Sequence, residues 1–123
     1  MSNPRQEWAF GIVERLFDLL LAQGITTWQR YGLFGHSAGG QFVHRMLSFA
    51  FRDRVAVAVT ANAGTYAMPD LSTPWPFGLG ETDVDTEALW ALLEFPITVM
   101  AGTADVETTG SFFPKGPRSM RLR

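Results

Sequence analysis

Apolar residues near the start of the chain recur at spacings of three and four, which is typical of a helix with one buried stripe. Asn3 and Pro4 fit the N-cap and the first position of a helix, and Gly24 fits the left-handed residue that ends one. The pattern therefore predicts a first helix over residues 4–23. Its stripe comprises Ala9, Ile12, Val13, Leu16, Phe17 and Leu20.

Shorter apolar segments follow and alternate between strand and helix patterns. Residues 31–34 form a short apolar run that stops at a glycine, as a strand would. Residues 55–59 are apolar at every position, which is typical of a central parallel strand covered by helices on both faces. A helical pattern begins at Gly39 between these strands, and another, capped by Thr86, precedes a third strand over residues 96–100.

This order of elements predicts an α/β fold: a parallel sheet with flanking helices, about three strands and three main helices, joined by right-handed crossovers. Residues 62–83 contain three prolines and several glycines, and we predict a long loop of functional importance. Residues 1–123 form at most one domain. Its end, residues 113–123, is predicted to be a flexible basic tail, with Lys115, Arg118, Arg121 and Arg123 and no acidic residue.

Composition narrows the classes of function. Of the 123 residues, 46% are hydrophobic, and the formal net charge is −2. This balance gives no electrostatic field that would attract nucleic acid or an anionic membrane. There is no cysteine, no apolar run long enough to span a membrane, and no signal-peptide pattern in residues 1–7. We therefore expect a globular, cytoplasmic domain without a nucleic-acid partner or a membrane span.

The candidate chemistry lies between the first strand and the second helix, where the sequence reads Gly35-His36-Ser37-Ala38-Gly39-Gly40. Such a sharp turn brings the strand and helix backbones into near contact, so glycine is expected on both sides of the serine. The strain exposes the serine hydroxyl as a nucleophile. The Ala38 N–H and the positive end of the helix would stabilise an oxyanion. A phosphate-binding loop is excluded because Gln41 and Phe42 follow, where Lys and Ser or Thr are required.

Residues 31–42 resemble the nucleophile elbow of the α/β-hydrolases, particularly the bacterial esterases, lipases and polyhydroxyalkanoate depolymerases. The resemblance implies that Ser37 is the nucleophile of a Ser-Asp-His triad in a partial α/β-hydrolase domain. The run Gly102-Thr103-Ala104-Asp105 resembles the family's Gly-x-x-Asp, which makes Asp105 the acid that orients the histidine. The alternative carboxylates are Asp83, Asp85 and Glu107.

The histidine of the triad is not evident, since the chain contains only His36 and His44. His36 adjoins Ser37 and would leave the turn in another direction, so we interpret it as a packing or supporting residue. His44 would lie about 10 Å along the helix from Ser37, beyond direct proton transfer. In the family, the histidine and a second oxyanion donor come from segments outside this stretch. The resemblance therefore implies a partial chain that is inactive alone and self-associates through an exposed sheet edge.

These features predict a serine hydrolase that forms an acyl-enzyme on Ser37 and cleaves carboxylic ester-like bonds in a small ester or a polyester. The mechanism requires neither a metal ion nor an organic cofactor. The alternative is a non-catalytic ligand-binding or interaction module on the same scaffold. In either case, the weaker candidates for ligand contacts lie in the long loop: Asn62, Tyr66, Trp75 and Phe77.

Overall fold

A computed structural model describes residues 9–49, 52–104 and 106. The three described strands form one parallel sheet in the order β1-β2-β3, with β2 in the centre. The predicted α/β fold, with three strands and three helices, is confirmed. In chain order the elements are α1 (Gly11–Ala22), β1 (Tyr31–His36), α2 (Ala38–Ser48), β2 (Val55–Ala61), α3 (Thr86–Leu93) and β3 (Ile97–Met100).

Helix α1 ends as predicted but begins later. Gly24 has a φ of +67°, and the N–H groups of Gly24 and Ile25 donate back to the carbonyls of Leu21 and Leu20, which closes the last turn. Residues 9–10 form a turn, so the prediction that the helix includes them is wrong. The predicted start signals, Asn3 and Pro4, lie outside the described residues.

The apolar stripe of α1 is only partly buried. The Phe17 ring lies 4.7 Å from the Tyr31 ring and is buried, whereas Ile12 and Leu16 are more than half exposed. Polar contacts also hold α1 to the start of the sheet. Arg54 Nε donates to Glu14 Oε2 over 2.7 Å, and the Tyr31 hydroxyl donates to Glu14.

Strands β1 and β2 each extend two residues beyond the predicted ends. The parallel register continues through Gly35↔Thr60 and His36↔Ala61, so the strand does not stop at the glycine. The hydrogen bonds between strands are made by backbone N–H and C=O groups, and glycine has both groups. This extension brings the carboxyl ends of β1 and β2 level with each other at the edge where Ser37 lies.

The described helices bury one face of the sheet. Met46 and Leu47 of α2 pack on Val55 and Ala58 of β2, and all four side chains are fully buried. Leu92 of α3 belongs to the same core. This packing holds α2, and with it the turn at its N-terminus, in a fixed position over the sheet.

The opposite face of the sheet is open in the described part of the chain. Phe34, Val57 and Met100 lie on it and are 69%, 47% and 52% exposed. The described helices pack on the other face only, so cover of β2 by helices on both faces stays a prediction. Self-association through an exposed edge stays a prediction.

Residues 62–83 contain neither helix nor strand, as predicted, and only Pro74 and Gly80 form an isolated bridge. The Asp70 carboxylate accepts hydrogen bonds from Thr73 and Ser72, which lower its pKa to about 2. Helix α3 is capped by Asp85, whose Oδ1 accepts from the Ala88 N–H over 2.8 Å. The predicted cap, Thr86, is wrong by one residue.

No helix within the described ranges is long and apolar enough to cross a membrane. The predicted basic tail, residues 113–123, lies outside those ranges.

Candidate active site

Ser37 lies in the sharp bend between β1 and α2. Its backbone has φ 54° and ψ −117°, a left-handed conformation that costs a residue with a Cβ about 1–3 kcal/mol. The side chain makes no capping hydrogen bond to α2, and the residue is exposed. The Ser37 N–H donates to the Ala61 carbonyl over 2.9 Å, which anchors the bend to β2.

Two glycines allow the close packing of this bend. A Cβ on Gly35 would lie 2.2 Å from the Gly39 carbonyl oxygen, and a Cβ on Gly40 would lie 2.9 Å from the Ala61 carbonyl oxygen. A Cβ on Gly39 would have no atom within 4 Å other than those of its chain neighbours and its own helix backbone. The expectation that Gly39 leaves room for the strand is therefore wrong, and Gly40 has that role.

Ala38 is the first residue of α2 and is exposed beside Ser37. N–H groups in the first turn of a helix have no partner within the helix, and the helix dipole adds positive potential there. The geometry can therefore offer one backbone donor to an oxygen that develops negative charge near Ser37.

His44 is buried behind the bend and is fully hydrogen-bonded. Its Nε2 accepts from the Ala67 N–H over 3.0 Å, which leaves the proton on Nδ1, and Nδ1 donates to the Gly40 carbonyl over 2.8 Å. Burial lowers the pKa of His44, and the neighbouring Arg45 adds to this effect. A neutral His44 therefore supports the start of α2 together with Thr60, whose hydroxyl donates to the same carbonyl over 2.9 Å.

The carboxyl ends of all three strands meet beside the bend. His36 is the last residue of β1, and its Nε2 lies 3.5 Å from Nδ2 of Asn62, the residue that follows β2. Asn62 Oδ1 accepts from the Gly102 N–H, after β3, over 2.6 Å. Sequence reasoning singled out Asn62 only as a substrate contact. A polar residue directly after the central strand was the available signal for its position at the sheet edge.

Asp105, the predicted acid, lies outside the described residues, as does the alternative Glu107. Asp85 caps α3, which occupies Oδ1. Asp83 is exposed. The described part of the chain therefore brings Ser37, Ala38, His36 and Asn62 to one edge, with the segment that leads to Asp105 beside them.

The aromatic candidates of the long loop each make contacts within the protein. The Tyr66 hydroxyl accepts from the Ala63 N–H, and its ring lies 5.2 Å from the ring of His44. The Trp75 ring centre lies 5.1 Å from that of Phe49. Phe49 is at the opposite end of α2 from Ser37, about 18 Å along the helix axis. Phe77 is half-buried, and its carbonyl accepts from the Met68 N–H.

A cavity of about 340 Å³ lies on the covered face of the sheet, between α2 and α3. It is bordered by the loop after β2, and its lining is almost wholly apolar. Its polar groups, His44 and Ser48, already make hydrogen bonds within the protein. The principal lining residues are Tyr66, Met68, Leu92, Leu93, Ile97 and Val99.

Among the described residues, no group of three His, Asp or Glu side chains lies close enough together to hold a metal ion.

Two solved structures are similar to this chain. Poly(aspartic acid) hydrolase-1 from Sphingomonas sp. KT-1 is 40% identical, with a TM-score of 0.87, over 97% of this chain and 45% of its own. LpqC, a poly(3-hydroxybutyrate) depolymerase from Bordetella parapertussis, is 35% identical, with a TM-score of 0.83, over 97% of this chain and 41% of its own. No family model and no curated protein matches the sequence.

Both similar structures are α/β-hydrolase-type. The chain therefore has part of an α/β-hydrolase fold, as the resemblance at residues 31–42 implied. It spans less than half the length of either similar structure.

Proposed function

We propose that the whole protein is a serine hydrolase that cleaves carboxylic ester-like bonds with Ser37 as the nucleophile. The observation that carries this proposal is the backbone of Ser37, which is held at φ 54° in the bend between β1 and α2. A conformation of this cost persists only where the surroundings fix it, and it is concentrated at functional sites. Here the contact at Gly35 and the hydrogen bond to Ala61 fix it.

In the proposed reaction, Ser37 Oγ attacks the carbonyl carbon while a histidine accepts the hydroxyl proton. The Ala38 N–H stabilises the oxyanion, and the histidine returns the proton to the departing alcohol oxygen, which leaves an acyl-enzyme. Water then attacks the acyl group by the same route and releases the carboxylic acid and free Ser37. Asp105 orients the histidine throughout.

The base in this proposal comes from a segment of the whole protein outside these 123 residues. His44 is an unfavourable base because both ring nitrogens are engaged, by Gly40 and Ala67. His36 is placed beside Asn62 and next to Ser37 in the chain, which supports a role in holding the site. On this proposal the 123 residues alone are inactive.

The proposed substrate is a polymer or a small molecule with ester-like linkages, and the proposed location is the cytoplasm. Both similar structures are named for enzymes that break down a polymer, poly(aspartic acid) in one and poly(3-hydroxybutyrate) in the other. The exposed position of Ser37 at the sheet edge is compatible with acyl transfer from a polymer.

A fluorophosphonate probe, followed by hydrolysis of a p-nitrophenyl ester, tests the role of Ser37 in the whole protein. We expect Ser37→Ala to abolish labelling and to lower kcat by several orders of magnitude, as loss of a catalytic serine does. Ser72→Ala is the matched control, since Ser72 is an exposed serine bonded to Asp70, and it should label and turn over as the wild type does. Labelling that persists in Ser37→Ala rules out Ser37 as the nucleophile.

The second candidate is a non-catalytic ligand-binding module, and the apolar cavity between α2 and α3 favours it. A module of this kind would bind an apolar ester without turning it over. Isothermal titration of an apolar ester into the wild type and into Leu92→Trp distinguishes the two functions. The larger Trp side chain is intended to fill the cavity. Binding that depends on Leu92, with no probe labelling at Ser37, would favour the module over the hydrolase.

A further inference from the structure

Backbone hydrogen bonds at the end of β2 connect it to the neighbouring segments on both sides, the bend after β1 and the end of β3. The Ala61 carbonyl accepts the Ser37 N–H over 2.9 Å, and the next N–H, of Asn62, donates to the Met100 carbonyl over 2.9 Å. The last residue of the central strand and the residue after it thus fix the bend after β1 and the end of β3.

The Asn62 side chain extends this connection past the end of the sheet. Its Oδ1 accepts from the Gly102 N–H over 2.6 Å, and its Nδ2 lies 3.5 Å from His36 Nε2. The orientation of the amide is determined by Gly102, because an N–H requires an acceptor. A Cβ at position 102 would lie 3.4 Å from both polar atoms of the amide, so the segment after β3 rests directly on this side chain.

The backbone of Asn62 is also unusual, with a φ of +43°. Asparagine tolerates this left-handed conformation better than other residues that carry a Cβ. The conformation turns the chain out of β2 into the long loop, while the amide remains at the sheet edge between His36 and Gly102.

We propose that Asn62 is a positioning residue that fixes the segment leading to Asp105 relative to Ser37. This inference rests on the proposed function. Asp105 follows Gly102 by three residues in the sequence, directly after the described segment that Asn62 holds. On the proposed function, the placement of the triad acid therefore depends on the amide of Asn62, which acts through Gly102.

Positioning and substrate contact predict different kinetics. Each polar atom of the amide already has one protein partner, Gly102 for Oδ1 and His36 for Nδ2, which supports a role in positioning the segment after β3. Loss of a substrate contact raises KM, whereas misplacement of a triad member lowers kcat. The reaction is sensitive to this effect, since a shift of about 1 Å costs roughly 100-fold in rate.

The test uses two variants of the whole protein. Asn62→Gly keeps the left-handed backbone and removes the amide, and we expect kcat to fall by roughly 100-fold with KM unchanged. Asn62→Asp keeps an oxygen for the Gly102 N–H, and we expect it to recover most of the lost kcat. Ser72→Ala, in a loop remote from the sheet edge, should leave both constants unchanged.

Amide exchange at Gly102, followed by NMR, measures the contact independently of catalysis. We expect exchange to be about fivefold faster in Asn62→Gly than in wild type, the ratio given by one ordinary net hydrogen bond, and close to wild type in Asn62→Asp.

An unchanged kcat in Asn62→Gly, a rise in KM alone, or equal Gly102 exchange in all three proteins would each overturn the positioning role. If Asn62→Gly does not fold, failure of Asn62→Asp to retain both kcat and Gly102 protection overturns it instead. Hydrolysis that survives in Ser37→Ala refutes the proposed function, and the Gly102 exchange still reports on the contact.

Discussion

Replacing the three glycines of the bend one at a time tests the account of how Ser37 is presented. Gly35, Gly39 and Gly40 are close in sequence, but the structure gives them different surroundings. A methyl group on Gly35 would meet the Gly39 carbonyl oxygen at 2.2 Å, and one on Gly40 would meet the Ala61 carbonyl oxygen at 2.9 Å. A methyl group on Gly39 would meet no atom within 4 Å beyond its chain neighbours and its own helix backbone.

The expected changes in the free energy of unfolding follow from these distances. In Gly35→Ala, two backbone segments must separate by about 1 Å, which places the cost at or above the upper end of the overpacking range, about 3 kcal/mol. Gly40→Ala should cost about 1–3 kcal/mol, because Thr60 and Ala61 must shift by less. Gly39→Ala should stabilise the protein by about 0.5–1 kcal/mol, since alanine is the better helix former in α2.

Urea unfolding of the whole protein measures these differences as shifts in the midpoint at constant m-value. Labelling of Ser37 by the fluorophosphonate probe should fall in Gly35→Ala and persist in Gly39→Ala. Equal destabilisation by Gly35→Ala and Gly39→Ala would refute the reasoning, because it would mean that crowding at Gly35 does not shape the bend.

Two further predictions concern stability. Because burial lowers the pKa of His44 in the folded state, its contribution is fully present above the unfolded value of 6.5 and is lost as the pH falls from there towards the folded pKa. Between pH 7.5 and 5, the free energy of unfolding should fall by up to about 1.4 kcal/mol per pH unit because of His44. His44→Gln should remove this contribution to the pH dependence. Asp85→Ala should cost about 1 kcal/mol through loss of the α3 cap, whereas Thr86→Ala should be nearly neutral. A larger loss of stability in Thr86→Ala than in Asp85→Ala would mean that Thr86, as the sequence predicts, is the cap of α3.

Elements with local signals could be predicted from the sequence. The end of α1 follows from Gly24, whose positive φ is a property of one residue and its neighbours. The strand, bend and helix around Ser37 follow from the short apolar run and the glycines after it. The predicted ends of β1 and β2 fall two residues before the observed ends. Pairing between strands, and not the side-chain pattern, determines where a strand stops.

The candidate site divides in the same way. Ser37 and Ala38 could be identified because their geometry is built by adjacent residues. The contacts of Asn62 with Gly102 and His36 could not, since they join residues 40 and 26 positions apart. The packing of Trp75 on Phe49 likewise depends on the path of the long loop, which propensity does not specify.

The sequence by itself thus determined the α/β pattern, the bend and its nucleophile, because each arises from the conformational preferences of a few consecutive residues. Only the tertiary structure decided that Gly40 and not Gly39 makes room for β2, that α2 and α3 pack into one core with β2, and that Asn62 joins the ends of three strands. These features depend on distances between segments remote in sequence, which the register of the parallel sheet fixes only once the chain is folded.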